Sequence, residues 1–302
     1  MDRATEMAIV VEVLDKGGFT AAADILGLTP SAVSKAVTRL ETRLGVRLLE
    51  RTTRQVAPTP EGAAYVESAR RILAEIEHTE AAVMEGKGRP SGRLRVNSGT
   101  AFVVHQLARV LPEFLERYPD LRLDLTVSDR IADLVAEGAD VAIRTGAIAD
   151  DRLAARRFAE IRRVICASPA YLERYGIPRA PSDLAHHRCI NIASSPSLSL
   201  WPFQIDGRSE VIETRGPMNV DNAESILALG LAGLGIIRLG NLVVANAIRE
   251  GRLVPLLTDM HVADPVPISL VFPAGRQRLP RVRVFIDFVV EHFKTSPWQI
   301  QV

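Results

Sequence analysis

Five residues between positions 31 and 39 carry the first chemistry: Ser31, Ser34, Lys35, Thr38 and Arg39. On a helix they lie off the apolar stripe Val33, Val37, Leu40 and Leu44, so one side is greasy and the other offers hydroxyls and cations. Thr29 is placed to cap that helix, Pro30 suits its first position, and the pattern runs to about Leu44. Small residues at a helix N-terminus let the backbone approach a phosphate, which the N-terminus also attracts. Ser34, Lys35 and Thr38 can then reach base edges in a major groove. Lys35, Arg39, Arg43, Arg47, Arg51 and Arg54 face only Glu41 and Glu50 between positions 35 and 54, a local cationic excess. The alternating stretch 46–58 predicts a two-stranded hairpin with Thr52, Thr53 and Arg54 at its tip. Arg51 and Arg54 are its candidates for phosphate or minor-groove contact. At this level a plain three-helix bundle with a solvated cationic face stays open.

A second group suits a small acid. Ser98, Gly99 and Thr100 stand where a strand should give way to a helix, and backbone N–H groups and two hydroxyls there would bind a carboxylate. Asn222 precedes another helix, as its cap or as a ligand-facing group. Arg144 ends a strand and could pair with an acid in bidentate fashion, or with a nearby Asp. Ser128 follows a strand and is the weaker candidate. Trp201 and Phe203 lie on an alternating stretch where one could line a cleft, although core positions suit aromatics better.

Other constellations carry less. Gly230, Gly233 and Gly235 end a helix and enter a strand, the reverse of a dinucleotide loop. His186, His187 and Cys189 form a single cluster without the second pair a metal site needs. Cys166 and Cys189 read as buried, inert thiols. With no nucleophile–base spacing, neither a catalytic residue, a metal nor a cofactor is expected.

The elements that must position these groups follow from punctuation and period. Residues 4–15 read as a helix with Met7, Val10, Val11 and Leu14 on one face. Gly17-Gly18 stops it, Thr20 is placed to cap a short helix over 21–26, and Gly27 makes the turn. Thr59-Pro-Glu-Gly opens a long helix to about Glu85. Its residues Tyr65, Ala69, Ile72, Ile76, Thr79 and Val83 alternate steps of four and three, a coiled-coil seam that favours a dimer. Residues 86–92, Gly-Lys-Gly-Arg-Pro-Ser-Gly, have linker chemistry. Beyond them strands at 94–97, 121–127 and 141–144 alternate with helices at 103–118 and 130–137, which predicts a parallel sheet with its site at the strand ends. Residues 153–168 read as a crossing into a second lobe, and 268–272 with the helix 282–293 as the return, giving a hinged clamp.

The 302 residues suggest two domains, and 47% apolar against 24% charged residues is ordinary globular composition. The net charge of +1 excludes a polybasic protein held to nucleic acid by bulk charge. All but four of the 37 cationic residues are Arg, as a GC-rich gene would give. Two cysteines exclude a disulfide framework, and the longest apolar run, residues 226–237, is too short to span a bilayer. The acidic first fifteen residues do not suit a secretory signal, so a cytoplasmic location without a membrane partner is expected.

An ordered series of segments resembles the LysR-type transcriptional regulators. It comprises Gly18-Phe-Thr-Ala-Ala-Ala, the run Leu28 to Glu41, the run Leu44 to Arg54, and Thr59-Pro-Glu-Gly62. Phe114-Leu-Glu-Arg-Tyr-Pro119, Asp140 to Gly146, Ala167 to Leu172 and Ala232-Gly-Leu-Gly-Ile236 extend it over nearly the whole chain. The resemblance implies an α/β chain with an N-terminal winged helix–turn–helix, a dimerising linker helix and a two-lobe, periplasmic-binding-protein-like (type 2) effector domain. The corresponding ranges are 1–59, 60–86, a hinge linker at 87–92, and 93–302. Lobe I takes about 93–160 and 266–302, lobe II about 161–265. DNA contacts carried over by the resemblance fall on Pro30, Ser31, Ser34 and Lys35, with Arg54 on the wing. It also implies operator DNA, a small effector and a second copy of the chain, in a dimer or tetramer, as partners. The chain departs from the family pattern at Arg238-Leu239-Gly240, where Leu-Pro is common, which bears on the loop and one wall of the cleft.

Overall fold

The computed structural model describes residues 2–51, 56–84, 90–130, 134, 138–148, 150–193 and 196–300. The chain divides into two compact units, one built on residues 1–88, with 132–140 and 278–280 grouped to it, and one on the remainder.

In the first unit, α1 (Arg3–Asp15), α2 (Phe19–Leu26) and α3 (Pro30–Leu44) enclose an apolar core. Ile9, Val10, Val13, Ala22, Ala23, Val33, Val37 and Leu40 have no exposed surface. The two alanines let α2 approach its neighbours closely. Gly27 takes the left-handed turn after α2 at φ +65°, a conformation glycine adopts without steric cost. The Thr29 hydroxyl caps α3, accepting from the Ala32 N–H at 3.2 Å. Thr20 does not cap α2, whose first residue is Phe19 after Gly18. Leu44 is exposed rather than the fourth member of the buried stripe, because the core ends one turn earlier. Strands β1 (Leu49–Arg51) and β2 (Val56–Pro58) pair antiparallel as the base of the wing. The tip, with Arg54, lies outside the described residues, as does the side chain of Arg51.

Helix α4 (Pro60–Met84) runs 25 residues, about 38 Å. The Thr59 hydroxyl accepts from Gly62 N–H and donates to the Arg47 carbonyl, tying the helix start to the wing. A Cβ on Gly62 would stand 1.9 Å from the Leu48 carbonyl oxygen, so only glycine fits this crossing. The predicted seam splits. Tyr65 and Ala69 pack on the unit's own core, whereas Ile72 and Ile76 are exposed by 45% and 37%.

The second unit holds two five-stranded sheets. β3 (Gly92–Ser98) leads into a helical run formed by α5 (Thr100–Phe102), a π turn over Val103–Leu107 and α6 (Ala108–Arg117). β4 (Leu121–Val127), β5 (Val141–Thr145) and β6 (Leu153–Ile161) follow, and most of the helix expected over 130–137 lies outside the described residues. β7 (Arg163–Ala167), α7 (Pro169–Tyr175), β8 (Cys189–Ile192), β9 (Leu200–Ile205), β10 (Arg208–Glu213), β11 (Asn219–Val220), α8 (Ala223–Leu231), β12 (Ile236–Gly240), α9 (Asn241–Arg249) and β13 (Val254–Pro255) build the second lobe. β14 (Val266–Pro273) and α10 (Pro280–Phe293) complete the first.

The first sheet has the order β4-β3-β5-β14-β6 and the second β11-β8-β12-β7-β13. The three strands expected to be parallel, β3, β4 and β5, are so, and β14 and β6 add to them antiparallel, which makes the whole sheet mixed. Residues 153–161 are likewise a full edge strand rather than a crossing, which shrinks to the single step at Arg162. An alternating edge strand and a linker both expose polar residues, so the sequence did not separate them. Phe114 meets Phe285 and Phe288 at ring distances of 5.3 and 5.1 Å, docking α10 on α6. In the second lobe Trp201 and Phe203 are buried in the core with Tyr171, Leu184 and Ile236, so neither lines a cleft. Among the described residues no helix is long and apolar enough to cross a membrane.

Candidate functional site

The outer face of α3 carries the first candidate site. Ser34, Lys35, Thr38, Arg39, Thr42 and Arg43 border one shallow groove along it. Pro30, Ser31, Lys35, Thr38 and Arg39 are exposed and Ser34 is half-buried, so the sequence-predicted residues do share a face. Local bonds sort them. The Ser31 hydroxyl lies 3.1 Å from that of Thr29, within the cap. Arg43 is held to the buried Glu6 at 2.5 Å. Lys35 and Arg39 have no hydrogen-bond or ion-pair partner among the described residues, which leaves two solvated cations at the centre of the face. Such a face matches a phosphate backbone in charge and a major groove in width.

The sequence reading passed over Glu41, counting it only as a charge. Its carboxylate accepts from the N–H groups of Leu48 and Leu49 at 2.9 and 3.1 Å, and so anchors β1, the wing's first strand, to α3. The signal was available: an acid on the last turns of a helix that ends five residues before a strand.

The second candidate site lies between the two lobes of the second unit. Ser98 is fully buried at the end of β3, and Gly99 and Thr100 follow where the helical run begins. The Ser98 carbonyl accepts from the Ser128 N–H at 3.0 Å, which brings the ends of β3 and β4 together. Asp129 then fills the place expected for a ligand acid. One of its oxygens accepts from the Thr100 N–H at 2.8 Å, the other from Nδ2 of Asn222 at 2.6 Å. Asn222 also caps α8, its Oδ1 accepting from Ser225 N–H at 3.1 Å, which is the first of its two expected roles. A second bridge joins His105 on the π turn to Glu224 on α8 at 2.8 Å.

Arg144 sits on β5 with its Nη1 donating to Oδ1 of Asn97 and to the Ile143 carbonyl. It is thus held on the Asn97 side of the sheet, the side opposite Ser98. Ser128 uses its hydroxyl locally, accepting from Arg130 N–H at 3.2 Å. The structure therefore brings Ser98, Gly99, Thr100, Ser128 and Asn222 together where the lobes meet and leaves Arg144 on the other face of the sheet. Asp129 and His105 were missed; an Asp directly after a strand end was the visible cue for the first.

The remaining candidates are settled by burial. Cys166 and Cys189 are buried, and burial pushes both thiols up to about 12, which makes them poor nucleophiles. His187 lies 3.1 Å from the Tyr171 hydroxyl, a structural bond within the lobe. β12 runs straight through Arg238-Leu239, and Gly240 caps α9 where the family's Leu-Pro was expected.

Known proteins match over the whole of this architecture. Residues 5–63 match the family described as bacterial regulatory helix-turn-helix protein, lysR family, and residues 87–294 that described as LysR substrate binding domain. The HTH-type transcriptional regulator CrgA of Neisseria meningitidis is 37% identical over 286 residues, 95% of each chain. The HTH-type transcriptional activator AaeR of Escherichia coli is 31% identical over 294 residues, 97% of this chain and 94% of AaeR. The solved structure of CrgA superposes with a TM-score of 0.65 at 36% identity, covering 96% of this chain and 99% of that one.

Proposed function

The chain belongs to the LysR family of bacterial transcriptional regulators, and on that premise we propose that it binds operator DNA under the control of a small acid held between its lobes. The observation that carries the DNA half is the exposed pair Lys35 and Arg39 at the centre of the α3 face, which has no partner among the described residues. In this reading α3 enters the major groove, Ser34, Lys35 and Thr38 meet base edges, and Pro30, Ser31 and Arg39 meet the backbone. Arg51 and Arg54 of the wing reach the flanking phosphates or minor groove. Such work places the protein in the cytoplasm, with no catalytic step, metal or cofactor.

A second copy of the chain covers Ile72 and Ile76 on α4, giving a dimer or a tetramer. Ile72→Asp with Ile76→Asp is expected to yield monomers by sedimentation.

The effector half rests on what Asp129 already does. The Thr100 amide and the Asn222 side chain both donate to a carboxylate, so an effector's acid group can replace Asp129 in kind. Because Asp129 joins the two lobes, the exchange changes how they close and so the placement of the DNA-binding heads.

The test is binding of the full-length protein to the DNA upstream of its own gene across a salt series. Wild type is expected to protect a two-fold symmetric site. Lys35→Ala is expected to weaken binding at every salt concentration and to lower the salt slope by about 1. Equal affinity for that DNA and for random DNA, with an unchanged slope in the variant, would remove α3 from the interface.

A further inference from the structure

Two arginines of the second lobe rise from the same face of its sheet. β7 and β12 run antiparallel with Arg238 opposite Ile165 and Gly240 opposite Arg163. Side chains alternate along a strand and cross-strand partners share a face, so Arg163, Ile165 and Arg238 project to one side. Ile165 is part of the core that also takes in Trp201 and Phe203 of the β9–β10 hairpin. The two guanidinium groups therefore stand at the margin of that core, half-buried. His261 closes a third side. Its Nε2 accepts from Arg238 Nε at 2.9 Å, its backbone bridges to Phe203, and the two rings lie 5.9 Å apart.

Charge is unbalanced here. Among the described residues neither Arg163 nor Arg238 meets a carboxylate. Burial, with the neighbouring Arg163 charge, lowers Arg238 to about 10, and burial lowers Arg163 as well. Both stay protonated at neutral pH. Burial and the same two cations push His261 down to about 4, so its ring is neutral. Two half-desolvated like charges side by side cost free energy until a counter-charge arrives. Guanidinium forks match the paired oxygens of a carboxylate or phosphate in plane and spacing.

We propose that Arg163, Arg238 and His261 form a binding site for a small oxyanion in the second lobe, separate from the turn at Thr100, Asp129 and Asn222. Phe203 and Ile165 give the site an apolar wall, so the oxyanion can be borne by a molecule with a small apolar body.

The probe is inorganic sulfate compared with chloride at equal ionic strength, on the full-length protein. Sulfate is expected to raise the unfolding temperature saturably, by roughly 3 °C at ten times its dissociation constant. Arg163→Gln and Arg238→Leu are both expected to lose most of that rise at the same sulfate concentration. In chloride, Arg238→Leu is expected to melt above wild type, since an uncompensated charge is gone; a mere structural arginine would give the opposite. Calorimetric titration of sulfate into folded wild type and Arg163→Gln reads the affinity directly, with a drop of about tenfold expected, and decides the matter if the leucine variant fails to fold. A rise that never saturates and is equal in all three proteins, saturable binding kept by the variants, or no heat with wild type would each overturn the site.

Discussion

Two cationic regions of this chain are built in opposite ways. Lys35 and Arg39 stand four residues apart on one helix, exposed and with no partner among the described residues. Arg163 and Arg238 come from distant parts of the sequence, sit half-buried on paired strands and share the neutral His261. Solvated charges keep their hydration and act through a long-range field that salt screens, which suits attraction to a polyanion. Half-desolvated charges feel a lower dielectric and act at contact distance, which suits one small ligand. The same residue type thus performs steering in one place and selection in the other, and burial decides which.

The sharpest way to break the comparison is to remove the scaffold under one region alone. Gly62→Ala puts a Cβ where the Leu48 carbonyl oxygen already lies, and backbone on both sides must move. A cost of roughly 3 kcal/mol or more is expected. Operator binding should be lost, while the effector unit keeps its own calorimetric transition and its sulfate response. Loss of both transitions together would show that the two regions are not independent.

Acid acts on the second region and spares the first. The folded value of His261, about 4, lies below its ordinary 6.5, so between those limits the unfolded chain takes up a proton that the folded one refuses. Stability is full above about 6.5 and falls as the pH drops towards about 4, by roughly 3 kcal/mol. The measurement is the denaturation midpoint against pH in chloride. His261→Gln, which keeps an acceptor for Arg238, is expected to flatten the curve in that window.

The contrast also explains what the sequence could show. The α3 face was legible because its residues are neighbours in the chain and a single period places them. Thr29, Pro30 and the stripe Val33, Val37, Leu40 fix the helix, and the outer residues follow. The cleft was half legible. Strand ends mark Ser98, Thr100 and Asn222, but the hydrogen bonds that join them run through Asp129, to residues 29 and 93 positions away. No local pattern encodes such a pairing. The Arg163–Arg238 pair was invisible for the same reason, and so was the antiparallel half of the first sheet: β14 returns from the far end of the chain to pair with β5 and β6.

Glu41 gives a smaller effect within the first region. Glu41→Ala leaves the N–H groups of Leu48 and Leu49 without their acceptor, at a cost of about 2 kcal/mol. Glu41→Gln keeps an acceptor oxygen and should cost less. Because the residue holds the wing and does not itself meet DNA, operator affinity should fall in Glu41→Ala and largely recover in Glu41→Gln.

Asp129 gives the smallest expected change, and it tests whether the cleft also belongs with the contact-range sites. Its carboxylate is exposed, so the bonds to Thr100 and Asn222 compete with water and together are worth about 1 kcal/mol. An acid effector that takes over those two donors must first displace it. Asp129→Ala removes the competitor and a nearby negative charge, and should tighten binding of small carboxylates about fivefold by calorimetry. Asp129→Asn keeps a neutral acceptor for the Thr100 amide and should fall between the two. Weaker binding in Asp129→Ala would mean that the carboxylate helps to hold the effector, and the cleft would then select a cation or a hydrogen-bond donor. The oxyanion site at Arg163 and Arg238 would then stand as the one contact-range cationic device among the described residues.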